Sequence, residues 1–157
     1  MHDEIRARLD EYNVRAYTIR PDGIVDVNDD VDIRNVVGPA IQVQFGKVHG
    51  YFSCTYTDLT SLKGAPQYIN SHFSCAGIKT RSLHNIHKQV KYIGGTFYCK
   101  EDTTHLLGLL LIDGICKFDI DTRGPIDAIF NKYVGTGDIL SAQDELIDAG
   151  FIEQARL

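Results

Sequence analysis

The tripeptide Phe-x-Cys occurs three times at near-constant intervals, as Phe52–Cys54, Phe73–Cys75 and Phe97–Cys99. The phenylalanines are separated by 21 and 24 residues, and a further 21 residues reach Phe118. The same step taken backwards from Phe52 reaches Val31. The column two residues later reads Ile33, Cys54, Cys75, Cys99 and Ile120. The column four residues earlier reads Val27, Val48, Ile69 and Ile93 before Gly114 breaks the series. Apolar side chains that recur in register at a period of about 20–50 residues mark a stacked repeat, because one unit cannot cover its own apolar face and its neighbours must.

Within each unit the local pattern is that of a strand. In "DDVDI", "GYFSC", "SHFSC", "GTFYC" and "CKFDI" every second residue is apolar, the period expected of a strand with one face buried. Turn residues and leucines follow. "DLTSLKGAP" supplies Leu59 and Leu62; "TRSLHNI" keeps Leu83 but has Thr80 in place of Leu59; in the third unit Leu107 takes the place of Leu62 and Leu83. The unit therefore reads strand, turn, short return, turn. The expected fold class is mostly β with helical ends: a short leucine-rich-repeat-like solenoid of about five stacked strands.

A solenoid exposes apolar surface at both ends unless something caps it. Ile5, Leu9 and Tyr12 form a helical stripe, and "RAYTI", "RPDG" and "IVDV" read as strand, turn, strand. After the repeats the period changes. Pro125 suits the first position of a helix whose face carries Ile126, Ile129, Phe130 and Tyr133. Asp138 suits the N-cap of a second helix carrying Ile139, Ala142, Leu146 and Ala149, with Gly150 as its terminator. The expected organisation is one compact domain, with a helix-and-strand cap over residues 1–22, the solenoid over 23–122 and a helical cap over 123–157.

Composition excludes several functions. The chain has 16 basic and 21 acidic residues, a formal charge of −5, which argues against a general binder of phosphate backbones. The charged opening "MHDEIRARLDEY" lacks the apolar stretch of a signal peptide, and the apolar run His105–Ile112 is too short to cross a bilayer. A cytoplasmic protein with reduced cysteines is expected. Cys54, Cys75, Cys99 and Cys116 have repeat spacing and no C-x-x-C pair, and "HNIH" is the only close histidine pair. Packing explains the cysteines better than metal or nucleophilic chemistry, so no metal, cofactor or catalytic residue is assigned. "VNDDVD" lacks the glycine and distal glutamate of a calcium loop. No P-loop, dinucleotide fingerprint, nucleophile elbow or zinc-protease motif occurs. A hydrolase built from strand-face Asp, His and Tyr has the least support.

The segments "VDVNDDVDI", "FGKVHGYFSC", "LTSLKGAP" and "IGGTFYC", with the tail "ILSAQDELIDAGFIEQARL", resemble small leucine-rich-repeat-like proteins encoded by tailed bacteriophages. The resemblance covers roughly residues 24–157. It implies a viral accessory protein acting inside the bacterial cell on a host or phage protein. The middle unit departs from the pattern: "IKTRSLHNIHKQVKY" adds three residues and marks 77–92 as a specialised loop.

Two candidate surfaces follow from the residues. Outward positions of successive strands align as columns, so Tyr51, Ser53, His72, Ser74, Thr96, Tyr98 and Lys117 are expected on one face. Amphipathic rings of this kind are favoured at protein interfaces. The second surface is the basic window carrying Lys79, Arg81, His84, His87, Lys88 and Lys91, suited to an acidic partner or a phosphate. The leading expectation is a protein-binding module that engages a host enzyme or defence component, with inhibition by occlusion as the natural mechanism. Self-assembly or a virion role, and nucleic-acid or nucleotide binding through residues 79–91, are the alternatives.

Overall fold

The computed structural model describes residues 2–34, 38–120 and 124–157. It is a β-solenoid of about four turns, closed by helices at its ends. Helix α1 (His2–Glu11) and the hairpin β1 (Tyr17–Ile19) and β2 (Val25–Val27) open the chain. The repeats supply β3 (Val31–Asp32), β4 (Phe45–Val48), β5 (Phe52–Ser53), β6 (Tyr68–Ile69), β7 (Phe73–Ser74), the one-turn helix α2 (Ile86–Gln89), β8 (Tyr92–Ile93), β9 (Thr96–Tyr98), a 3-10 turn (Leu107–Leu111) and β10 (Lys117–Asp119). Helices α3 (Pro125–Tyr133) and α4 (Ile139–Asp148) follow. The expected boundary at 122/123 lies outside the described residues.

Each turn contributes strands to two sheets rather than one, and between turns the strands pair in parallel. The first has the order β1-β2-β4-β6-β8 and the second β3-β5-β7-β9-β10. The Val27, Val48, Ile69 and Ile93 column is the core row of the first sheet. Tight bends separate it from the Phe row, and glycine permits them. A Cβ at Gly94 would lie 2.4 Å from the Asn70 carbonyl oxygen, so successive bends nest with no room for a side chain.

The second sheet holds the spine. Val31, Phe52, Phe73, Phe97 and Phe118 pair in register and all are fully buried. Ring centroids are 5.6 Å apart for Phe52–Phe73, 5.4 Å for Phe73–Phe97 and 6.4 Å for Phe97–Phe118, within the range of favourable aromatic pairs. Phe130 of α3 continues the ladder at 5.3 Å from Phe118, so the cap extends the spine instead of merely covering it.

Beside the rings, Ile33, Cys54, Cys75, Cys99 and Ile120 form a second buried row. Burial pushes the Cys54 and Cys99 thiols up to about 12 and that of Cys75 well above its ordinary value, so these groups are inert hydrophobes. Cys116 alone of the four is exposed. A thiol reagent such as DTNB should therefore titrate one thiol rapidly in the native chain and all four in denaturant. Rapid reaction of a second native thiol would contradict the packing of this row.

The three extra residues of the middle unit do not break the stack. Asn85 takes a left-handed conformation (φ 58) and starts α2, which absorbs the insertion. The Gln89 side-chain amide donates to the Leu62 carbonyl of the preceding turn. Both sheets keep register across it, with Tyr68 opposite Tyr92 and Phe73 opposite Phe97.

At the front, α1 buries Leu9, Tyr12 accepts a 3.1 Å bond from the Gln42 N–H, and β1 pairs antiparallel with β2. At the back, the Asn131 side chain stands in for a missing sixth strand. Its Oδ1 accepts from the Phe118 N–H at 2.7 Å and its Nδ2 donates to the Phe118 carbonyl at 2.9 Å. Asp127 accepts from the Ile120 N–H at 3.1 Å. Pro125 opens α3 and Asp138 caps α4 by accepting from the Ser141 N–H. Gly150 (φ 91) ends α4 with the Phe151 N–H bonded to Leu146 and its own N–H to Ile147, the paired arrangement of a Schellman motif. The tail then returns to the last turn, where His105, Leu106 and Leu107 donate to the carbonyls of Glu153, Gln154 and Arg156. No helix among the described residues is long and apolar enough to cross a membrane.

Candidate binding face

The outward side of the second sheet is built by parallel register. Asp32, Ser53, Ser74, Tyr98 and Asp119 align along it. The row one step earlier holds Asp30, Tyr51, His72, Thr96 and Lys117. The Thr55 hydroxyl bridges Ser53 and Ser74 at 3.0 and 2.8 Å, a chain of hydroxyls across two turns. Asp30 accepts from the Tyr51 N–H at 2.8 Å, which anchors the start of that turn.

His72 is the best-positioned ring of the face. Its Nδ1 accepts from the Thr96 N–H at 2.9 Å. In the neutral ring the proton therefore sits on Nε2, leaving an outward-facing donor. Its centroid is 6.0 Å from that of Tyr98, edge to face. A Cβ at Gly95 would come 2.6 Å from Nδ1, so glycine there lets the imidazole lie down on the next turn. This posture corrects one expectation: Thr96 is only 8% exposed and is not part of the accessible face. Tyr51, His72 and Lys117 are exposed, and Ser53, Ser74 and Tyr98 half-buried. The face runs from the carboxylates of Asp30 and Asp32 at the front, through rings and hydroxyls, to Lys117 and Asp119 at the back.

The basic window is not one surface. Lys79 and Arg81 turn toward Asp58 and Asp102, at 3.3 and 3.5 Å. His84 turns the other way, bonding through Nδ1 to the Leu157 main-chain oxygen at 2.6 Å and packing edge-on against His105. His87 folds inward, and its Nδ1 lies buried beside Gly108 without a hydrogen-bond partner among the described residues. Burial, then Lys88, Lys91 and His84, hold its pKa below the ordinary imidazole value. His87 therefore belongs to the packing, not to a docking loop, while Lys88 stays exposed on α2. The one-turn helix rotates successive side chains apart, which a linear charge count does not register.

Sequence reasoning missed two groups. Lys47, Tyr68 and Tyr92 align on the outer side of the first sheet, with the tyrosines 45% and 38% exposed. The column immediately before Val48, Ile69 and Ile93 contained that signal. Tyr56 is exposed beside Lys100, whose Nζ is 5.3 Å from the ring centroid; its left-handed backbone has no signature in the repeat pattern. Among the described residues, no group of three or more His, Cys, Asp or Glu is arranged to hold a metal ion.

Fold and face together define a short two-sheet β-solenoid with helical caps and ring-bearing outer surfaces on both sheets. No protein-family model, curated protein or solved structure matches this chain.

Proposed function

We propose that the chain is a protein-binding module that engages its partner through the outward face of the second sheet. The carrying observation is the group of rings formed by Tyr51 and His72 in one row and Tyr98 in the next, on a spine of stacked phenylalanines, with the His72 ring held by the Thr96 N–H and edge-on to Tyr98. Rings held by a rigid scaffold lose little freedom on binding, and Tyr is favoured at interface centres. The carboxylates of Asp30 and Asp32 at the front fit a partner with basic groups at that end of its site. The resemblance to phage-encoded repeat proteins points to a partner in the cytoplasm of a bacterial host, an enzyme or defence component, acted on by occlusion. A polar alternating face with no catalytic constellation supports binding over turnover.

The test is capture from bacterial lysate with the intact chain and with a Tyr51→Ala, His72→Ala, Tyr98→Ala variant of matched circular dichroism. Loss of roughly tenfold or more in recovery of a given partner is expected, as truncating a few central rings commonly costs about 2 kcal/mol or more. Unchanged recovery places binding elsewhere. Light scattering addresses self-assembly: a concentration-dependent dimer abolished by the same variant would assign the face to a second copy.

A further inference from the structure

Helix α2 (Ile86–Gln89) is a single turn, too short to hold itself together in water. Its neighbours keep it in place. Ile86 and Val90 are buried, the Gln89 side-chain amide donates to the Leu62 carbonyl, and the His87 ring packs against the 3-10 turn at Gly108. A Cβ at Gly108 would come 2.7 Å from His87 Nδ1, so the imidazole fills the space that a side chain there would take. That nitrogen is buried and has no hydrogen-bond partner among the described residues. The neutral ring accommodates this with its proton on Nε2, which leaves Nδ1 as a bare acceptor. A second proton goes to Nδ1, where it meets no acceptor, and an unpaired buried charge is far costlier than an unpaired lone pair.

The surroundings offer no compensation. Lys88 and Lys91 follow His87 on its own segment and His84 precedes it, and all three oppose a positive ring. The Lys91 Nζ already donates to the His87 carbonyl at 3.2 Å. The 3-10 turn Leu107–Leu111 carries no titratable side chain; His105 before it packs on His84, and Asp113 beyond it is exposed. The preceding turn, which receives Gln89 at Leu62, adds Lys63, exposed and also basic. The sheets on either side pair through their own main chains, Tyr68 with Tyr92 and Phe73 with Phe97, without help from α2.

We propose that α2 is an acid-released latch: uptake of a proton at Nδ1 drives the His87 ring out from beside Gly108 and opens residues 85–90, while both sheets stay paired. The sign follows from the burial that keeps the ring neutral. The closed state holds a proton on this ring less readily than the open one. Closure is therefore at full strength above about pH 6.5 and weakens as the pH falls through that value. Opening presents the apolar side chains of Ile86 and Val90 to solvent.

The experiment is hydrogen exchange of the full chain, read at the Val90 amide, which donates to the Ile86 carbonyl at 2.9 Å. After correction for the intrinsic exchange rate, its opening equilibrium should rise about tenfold from about pH 7.5 to about pH 5.5, as uptake of one proton by the open state requires. The Cys75 amide, which donates to the Tyr98 carbonyl of the next turn, should change less than about twofold. His87→Leu fills the site without titrating and should hold the Val90 ratio near one. His87→Gln, polar and also without a titrating group, should do the same and serves where leucine fails to fold. His84→Gln should keep the tenfold rise. The proposal is overturned by a Val90 change under about twofold in the native chain, by a tenfold rise that survives replacement of His87, or by loss of the rise in His84→Gln. Equal rises at Val90 and Cys75 would also overturn it, since acid would then loosen the whole stack.

Discussion

Phe73→Ala is expected to destabilise the chain by about 3–5 kcal/mol, as deletion of a fully packed ring removes both transfer energy and neighbouring contacts. Phe73 is the centre of the spine. It is fully buried and touches the next ring on each side, 5.6 Å from Phe52 and 5.4 Å from Phe97. A cavity there cannot close by a local shift, because the strands on both sides are held in register by parallel pairing. With total stabilities of single domains at about 5–15 kcal/mol, the variant should lose at least about a fifth of its margin. Urea denaturation followed by far-UV circular dichroism measures this as a fall in midpoint at constant slope. A loss under about 1 kcal/mol would mean that the rings do not form a continuous packed column.

Asn131→Leu is expected to cost about 2–4 kcal/mol, because the substitution leaves both main-chain groups of Phe118 without their partner. These groups sit on the outer edge of β10, where a further turn of the solenoid would otherwise pair, and the carboxamide meets both of them at once. Leucine has similar bulk, so the loss reports hydrogen bonding rather than volume. Asn131→Asp keeps the acceptor for the Phe118 N–H and loses only the donor to its carbonyl, and should fall between wild type and the leucine variant. Hydrogen exchange supplies the discriminating readout. The Phe118 amide should be protected in wild type and Asn131→Asp and should exchange faster in Asn131→Leu. Equal protection in all three would show that the edge is capped by some other group.

The two effects have a common origin. A short solenoid has no closed core, and its stability propagates from turn to turn. Phe73 tests that propagation in the middle and Asn131 tests its termination. The front end uses a different device, the antiparallel β1 and the Arg20–Asp26 pair. Burial alone would raise the Asp26 carboxyl, but the Arg20 hydrogen bond and the Lys47 N–H outweigh it and hold it below its ordinary value.

The repeat itself is legible in the chain. Val31, Phe52, Phe73, Phe97 and Phe118, with Ile33 through Ile120 two places on, align in the sequence alone, and the stack pairs them in that register. Alternation of apolar and polar residues is a local property, and a constant step between such stretches leaves stacking as the way to bury them. The caps were legible for the same reason, since Pro125, Asp138 and Gly150 act through their own backbone neighbourhoods. Tertiary structure alone decided the rest. The lowering of His72 onto Gly95, the burial of Thr96, the inward turn of His87 and the use of Asn131 as a strand end all depend on groups from other turns or elements. So does the placing of Tyr56 beside Lys100. Side-chain direction at a bend is set by the space the adjacent turn leaves open, and that space exists only once the turns have stacked.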